Sequence, residues 1–174
     1  MNYLILIAGT VIIIVFSWFL SIKHKRYHGI PRFFAFESIF ILTMLNIKMW
    51  FNDPFSLLQI ISWIFLFLSG YAVIAGFVIL KSKGKPDKNF EATTVLVKSN
   101  IYRYIRHPLS LSLLLLGTGI MLKDPRIPQL ILSAINLIAL YITARIEENE
   151  MTGRFGDAYT EYVKESKMFI PFVL

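Results

Sequence analysis

With 174 residues, 56% of them hydrophobic and 15% aromatic, and a mean hydropathy of +0.61, the chain has too little polar surface to coat a soluble domain and reads as an integral membrane protein. Its net charge of +7 sits in short segments beside apolar runs, where membrane topology accounts for it, so nucleic acid is not an expected partner. The absence of cysteine excludes disulfides, thiolate metal sites and a cysteine nucleophile, and His24, His28 and His107 are too scattered for a metal site.

The first apolar run, Tyr3 to Ile22, has the length that crosses a ~30 Å hydrocarbon core as a helix. No basic residue precedes it, and Lys23, His24, Lys25 and Arg26 follow directly, so a retained span is expected rather than a cleaved signal peptide. The second run, Phe33 to Phe51, is the weakest because it carries Glu37 and Lys48. Lys48 is long enough to snorkel, and Glu37 is paired, near an interface or lining an acceptor cavity. The third run, Phe55 to Leu80, is almost unbroken in its apolar character and crosses with tilt.

A polar segment from Lys81 to Asn100, with Gly84 and Pro86, is expected to lie across the membrane surface. Within it, Thr93 to Val97 is a candidate for a short extended stretch. The fourth run, Leu109 to Leu122, is short; the fifth, Ile127 to about Ile146, is expected to continue as helix beyond the membrane surface. Asp124-Pro125-Arg126-Ile127-Pro128 breaks the chain between them, which predicts an antiparallel helical hairpin. The expected fold is all-α: one membrane domain over residues 1–174 with about five transmembrane helices, the last two paired, and a cytosolic C-terminal helix.

Charge placement supports that count. With the N-terminus outside, fifteen of the 18 lysines and arginines fall on the inner side, and only Lys48, Lys123 and Arg126 fall outside. This orientation puts the C-terminus in the cytosol and the protein in the cell membrane as a multi-pass chain.

Two charged clusters belong to the inner side. Tyr102-Arg103-Tyr104-Ile105-Arg106-His107-Pro108 leads into the fourth run, and proline suits the first helical turn, so a helix is expected to start there with its first N–H groups free for a carboxylate or phosphate. His107 either hydrogen-bonds a ligand or fills the interface, the second being the commoner role for a histidine ahead of a helical proline. Arg145, Glu147, Glu148 and Glu150 mark the exit of the fifth helix. Helical spacing puts Arg145 and Glu148 on one side. Glu147 and Glu148 lie ~100° apart, so one is expected to face inward and the other solvent or a loop. The cluster is either a solvated helix end or a set of acceptors for ribose hydroxyls, an amino group or a cationic ligand. In the tail, Tyr159 and Tyr162 recur at helical spacing, with interfacial anchoring favoured over closure of a lid on a cofactor.

Tyr102 to Pro108, Glu147-Glu148, Phe155-Gly156-Asp157-Ala158-Tyr159-Thr160-Glu161-Tyr162 and Ile170-Pro171 together resemble the isoprenylcysteine carboxyl methyltransferase family, which is related to the phospholipid methyltransferases. The match covers roughly residues 90–174 with the parts in the family's order; Ser110 and Ser112 stand where the family pattern has tyrosine and glycine. The resemblance implies a multispan helical methyltransferase that binds S-adenosylmethionine near the cytosolic interface and releases S-adenosylhomocysteine. It implies a cofactor site of Tyr102, Arg106, His107, Pro108, Glu147 and Glu148 in the half 81–174, and leaves residues 1–80 to select the lipophilic acceptor; membrane lipids are the other expected partners.

Transfer from a sulfonium is an in-line displacement, so alignment and exclusion of water are the main tasks and no metal is expected. If the acceptor is a carboxylate, as in prenylcysteine, Arg145 or Arg103 is expected to hold it. If it is an amine, phenol or thiol, Glu148 is the expected proton acceptor. A phospholipid or quinone-like acceptor is the alternative within catalysis, and a noncatalytic membrane scaffold or sensor is the alternative outside it.

Overall fold

The computed structural model describes residues 3–21, 23, 26–87 and 93–171. The expected end of the first run at Ile22, the residues His24, Lys25 and Lys88, and the middle of the polar loop lie outside the described residues. Among the described residues the chain forms six α-helices: α1 (Tyr3–Leu20), α2 (Gly29–Asn46), α3 (Leu57–Lys83), α4 (Pro108–Met121), α5 (Ile127–Phe155) and α6 (Asp157–Glu165). Short 3₁₀ turns occupy Ile47–Met49 and Asn100–Arg103. The fold is all-α, as expected. α2 with its following turn, α3 and α5 are each long and apolar enough to cross a membrane, while α1 and α4 are shorter apolar helices.

The element bounds follow from local sequence with two corrections. α2 begins at Gly29 and ends at Asn46, so Lys48 lies beyond the helix, exposed in the 3₁₀ turn, and Glu37 alone is left mid-helix. α3 runs on through Lys83, taking the first basic residues of the expected polar loop as its last turn, where cations suit the negative end of the helix dipole. Within 93–97 the described structure contains only an isolated antiparallel bridge between Thr93 and Pro86. α5 is ~43 Å long at 1.5 Å per residue, more than a ~30 Å core requires, which is why its charged end can extend past the apolar stretch.

The chain divides into two compact units, residues 1–69 with 113–143 and residues 70–112 with 144–174. In the first, α1 packs on α2, with Thr10 donating to Glu37 Oε1 at 2.7 Å and the Phe16 and Phe36 rings edge to face. Apolar side chains of α2, α4 and α5 form its core, with Ala35 against Ala139 and Leu140, and Ile39 and Leu42 against Ile120.

Lipid tails supply no hydrophobic force between helices, so close packing and interhelical hydrogen bonds have to hold this unit. Asn46 Nδ2 donates to the Ile120 carbonyl at 2.7 Å and its Oδ1 accepts from Gln129 Nε2 at 3.0 Å. Asn136 Nδ2 donates to the Ala35 carbonyl, and Ser62 Oγ to that of Gly119. Lys123, in the turn joining α4 to α5, is buried: its ammonium donates to Gln59 Oε1 and lies 3.9 Å from the centroid of the Trp63 ring.

Candidate active site

The second unit gathers most of the residues the sequence singled out. The lead-in to α4 is extended and pairs with the chain end: Arg106 N–H donates to the Lys167 carbonyl at 2.8 Å, His107 N–H to that of Met168 at 3.2 Å, and Lys167 N–H to that of Tyr104 at 3.0 Å. Met168 and Phe169 then bury themselves against Ala144 and Leu111, which ties this strap to α5 and α4. Pro108 opens α4 as expected. The first helical hydrogen bond runs from Leu111 N–H to the His107 carbonyl, so the N–H groups of Leu109 and Ser110 have no intrahelical acceptor.

Two buried side chains leave this lead-in toward α5. Arg106 places Nε and Nη2 each 2.7 Å from Glu148 Oε1, and its Nη1 donates to the carbonyls of Val163 and Ser166. Arg145, one helical turn before Glu148, donates to Glu148 Oε2 at 3.1 Å while its own side chain remains 59% exposed. Both oxygens of Glu148 are therefore engaged by guanidinium groups. His107 stands between the two acids, with Nδ1 3.1 Å from Glu147 Oε2 and Nε2 3.5 Å from Glu148 Oε1. The expected divergence of the two acids is thus corrected. Their ~100° separation on α5 is bridged because the imidazole offers a nitrogen to each side.

Burial on its own would lower the pKa of His107. The hydrogen bonds and charges of Glu147 and Glu148 outweigh it and hold the imidazole above its usual value of 6.5. A group with a raised native pKa stabilises the fold fully below its unfolded pKa and loses that contribution as pH rises through the native one. The thermal midpoint of the detergent-purified protein is therefore expected to fall between about pH 6.5 and the higher native value, with a shallower fall in His107→Gln. Parallel pH profiles for the two proteins would refute the pairing.

The tail folds over this network because α5 ends at Phe155 and the next residue, Gly156, has a φ of +54° that admits the reversal into α6 and that a side chain would resist. Tyr159 and Tyr162 are consequently buried, at 3% and 4% exposure, and not membrane anchors as favoured from the sequence. Tyr162 OH donates to the Tyr102 carbonyl. Burial pushes the Tyr162 phenol up to about 12, and burial together with the Glu148 charge raises Tyr159 further still. Both phenols stay neutral at physiological pH, so they can donate hydrogen bonds but not act as phenolate bases.

Of the expected site residues, Arg106, His107, Glu147, Glu148 and Arg145 meet in one network. Pro108 starts the helix beside it, and Tyr102 is buried with its OH 3.4 Å from the Gly76 carbonyl. Arg103 makes none of these contacts; it is exposed, its guanidinium 5.9 Å from the centroid of the Tyr104 ring. The sequence reading missed the carbonyls of Val163, Ser166, Lys167 and Met168, for which the terminal Ile170-Pro171 was the one available signal.

Two arginines, two glutamates and a histidine thus cluster at the head of an apolar helix in an all-α membrane protein, with the Arg106, His107 and Glu148 side chains buried and Arg145 reaching solvent. Residues 57–158, more than half of the chain, match the family model described as phospholipid methyltransferase, and the chain belongs to that family. The family includes the isoprenylcysteine carboxyl methyltransferases, so the resemblance seen in the motifs holds, and the protein is a membrane methyltransferase. No curated protein and no solved structure matches the chain.

Proposed function

We propose that this protein transfers a methyl group from S-adenosylmethionine to a lipophilic acceptor at the cytosolic face of the cell membrane, with the N-terminus outside and the C-terminus in the cytosol. The observation that carries the reading is the Arg106–Glu148–Arg145 and His107–Glu147 network at the start of α4. Its chemistry fits the cofactor at both ends. The Glu147 carboxylate suits a sulfonium or ammonium charge, and the first-turn N–H groups of α4 suit the cofactor's carboxylate. His107 Nε2 is buried with Glu148 Oε1 at 3.5 Å, a contact too long for a good hydrogen bond, so a polar ligand atom that came closer could compete for it. When bound, the cofactor supplies an electrophilic methyl group on a sulfonium that leaves as a neutral thioether.

The protein's share of the work is placement. Arg106 and His107 hold the two acids, the α6 tyrosines cover them against water, and Arg145 keeps guanidinium donors exposed beyond its bond to Glu148. Those donors suit an acceptor carboxylate, whose oxygen lone pair forms the new bond to carbon as the bond to sulfur breaks. Glu148, engaged at both oxygens, is poorly placed to take a proton. This favours an acceptor that is already ionised, such as a prenylcysteine-type carboxylate, over an amine, which has a proton to lose. Residues 1–80 are assigned to acceptor selection, and Arg145 in preference to Arg103 to acceptor binding.

Calorimetric titration of the protein in lipid nanodiscs with S-adenosylmethionine and S-adenosylhomocysteine, with ATP as control, is expected to give saturable binding to the sulfur ligands alone. Labelled methyl released as methanol by mild alkali would identify an ester product, whereas alkali-stable label would shift the acceptor to a phospholipid amine or another lipophilic nucleophile. No binding by folded protein would leave the noncatalytic scaffold as the better reading.

A further inference from the structure

Beside the network, and built from different side chains apart from Tyr162, the second unit holds an open cleft of about 340 Å³ lined by Lys98, Arg103, Tyr104, Tyr162 and Glu165. Each of its cations rests near an aromatic ring instead of a carboxylate. Lys98 Nζ is 5.7 Å from the centroid of Tyr162 and donates to the Ala158 carbonyl at 3.0 Å, and the Arg103 guanidinium is 5.9 Å from that of Tyr104. Among the described residues neither cation, nor Glu165, has an ion-pair partner. Two cations and one acid leave the cleft with a net single positive charge.

Its height in the membrane can be read from the chain. α3 ends at Lys83, and Lys83 Nζ donates to Ser99 Oγ at 2.9 Å, which ties the residue next to Lys98 to the end of a membrane-crossing helix. Four residues after Tyr104 the apolar helix α4 begins. Tyr104 itself is half exposed, the position an aromatic ring takes at headgroup level. Residues 98–104 are thus bracketed by the ends of two apolar helices, where phospholipid phosphates lie.

We infer that this cleft binds the phosphodiester headgroup of an anionic phospholipid, with Lys98 and Arg103 on the phosphate and Glu165 accepting from a headgroup hydroxyl. The single net charge matches a phosphodiester monoanion, and Glu165 works against a dianionic phosphomonoester. The cleft shares Tyr162 with the cover over the network, but its binding groups Lys98, Arg103 and Glu165 lie outside that network, and the inference does not rest on the methyltransferase reading.

Native mass spectrometry of the protein released from micelles containing equal phosphatidylglycerol and phosphatidylcholine tests this without reference to activity. Phosphatidylglycerol is expected to be retained in preference. Lys98→Gln and Arg103→Gln should each reduce that preference about five-fold, the effect of one basic residue at an anionic lipid surface. Glu165→Gln should keep or raise retention, and a misfolded protein would not mimic a gain. Equal retention of the two lipids, or an unchanged preference in the Lys98→Gln/Arg103→Gln double variant, would overturn the site. Displacement of the lipid by millimolar inorganic phosphate would overturn the lipid assignment in favour of a free-phosphate site.

Discussion

Glu148→Ala is expected to destabilise the folded protein by about 3–5 kcal/mol and to abolish binding of S-adenosylmethionine. The carboxylate meets Arg106 through both Nε and Nη2, and the two side chains are only 8% and 9% exposed. Removing the acid leaves a buried guanidinium whose remaining acceptors are the carbonyls of Val163 and Ser166, which supply hydrogen bonds but no countercharge. Arg145, being largely exposed, adds little to the loss because water takes over its solvation. The double replacement Arg106→Met with Glu148→Met separates structure from function: it removes both charges at similar volume, so most of the stability should return while ligand binding does not. Thermal unfolding in detergent and titration with S-adenosylhomocysteine read the two effects. Recovery of binding in the double variant would show that the pair only holds the fold.

The second large effect comes from a residue that carries no chemistry. Gly76 on α3 lies under the start of α4, and a Cβ there would sit 3.1 Å from Pro108 Cγ, 3.2 Å from Pro108 Cβ and 3.2 Å from Leu109 Cδ2. Its carbonyl also accepts from Tyr102 OH. The pyrrolidine ring cannot rotate away, so Gly76→Leu has to push the head of α4, and with it His107 and the adjacent N–H groups. A shift of about 1 Å in a positioning element typically reduces turnover on the order of 100-fold. Overpacking adds roughly 1–3 kcal/mol of destabilisation. Gly70→Leu on the same helix is the control, because a Cβ there meets nothing within 4 Å. It is expected to be neutral or slightly stabilising through better helix propensity. Equal methyl-transfer rates in the two variants would show that the position of α4 does not govern the site.

Much of the architecture was legible in the chain. Apolar runs of set length between basic segments specify helices because a bilayer forces the backbone to satisfy its own hydrogen bonds. Pro108 and the Asp124-Pro125 break mark helix ends through constraints that act within one or two residues. The pairing of Arg145 with Glu148 followed from helical periodicity alone.

What the tertiary structure decided is which distant groups share a charge. Glu147 and Glu148 diverge on α5, yet both reach His107 because the chain end straps the lead-in of α4 beside them through the Lys167 and Met168 carbonyls. The two α6 tyrosines look like interfacial anchors in sequence and become buried because Gly156 turns α6 back over the network. Lys123 reads as an outer-loop charge and is enclosed by Gln59 and Trp63. The physical reason is range. Membrane insertion and helix termination depend on the residues at hand, whereas a buried charge takes its partner from whichever segment the closed fold brings within about 3 Å, and no local pattern encodes that choice.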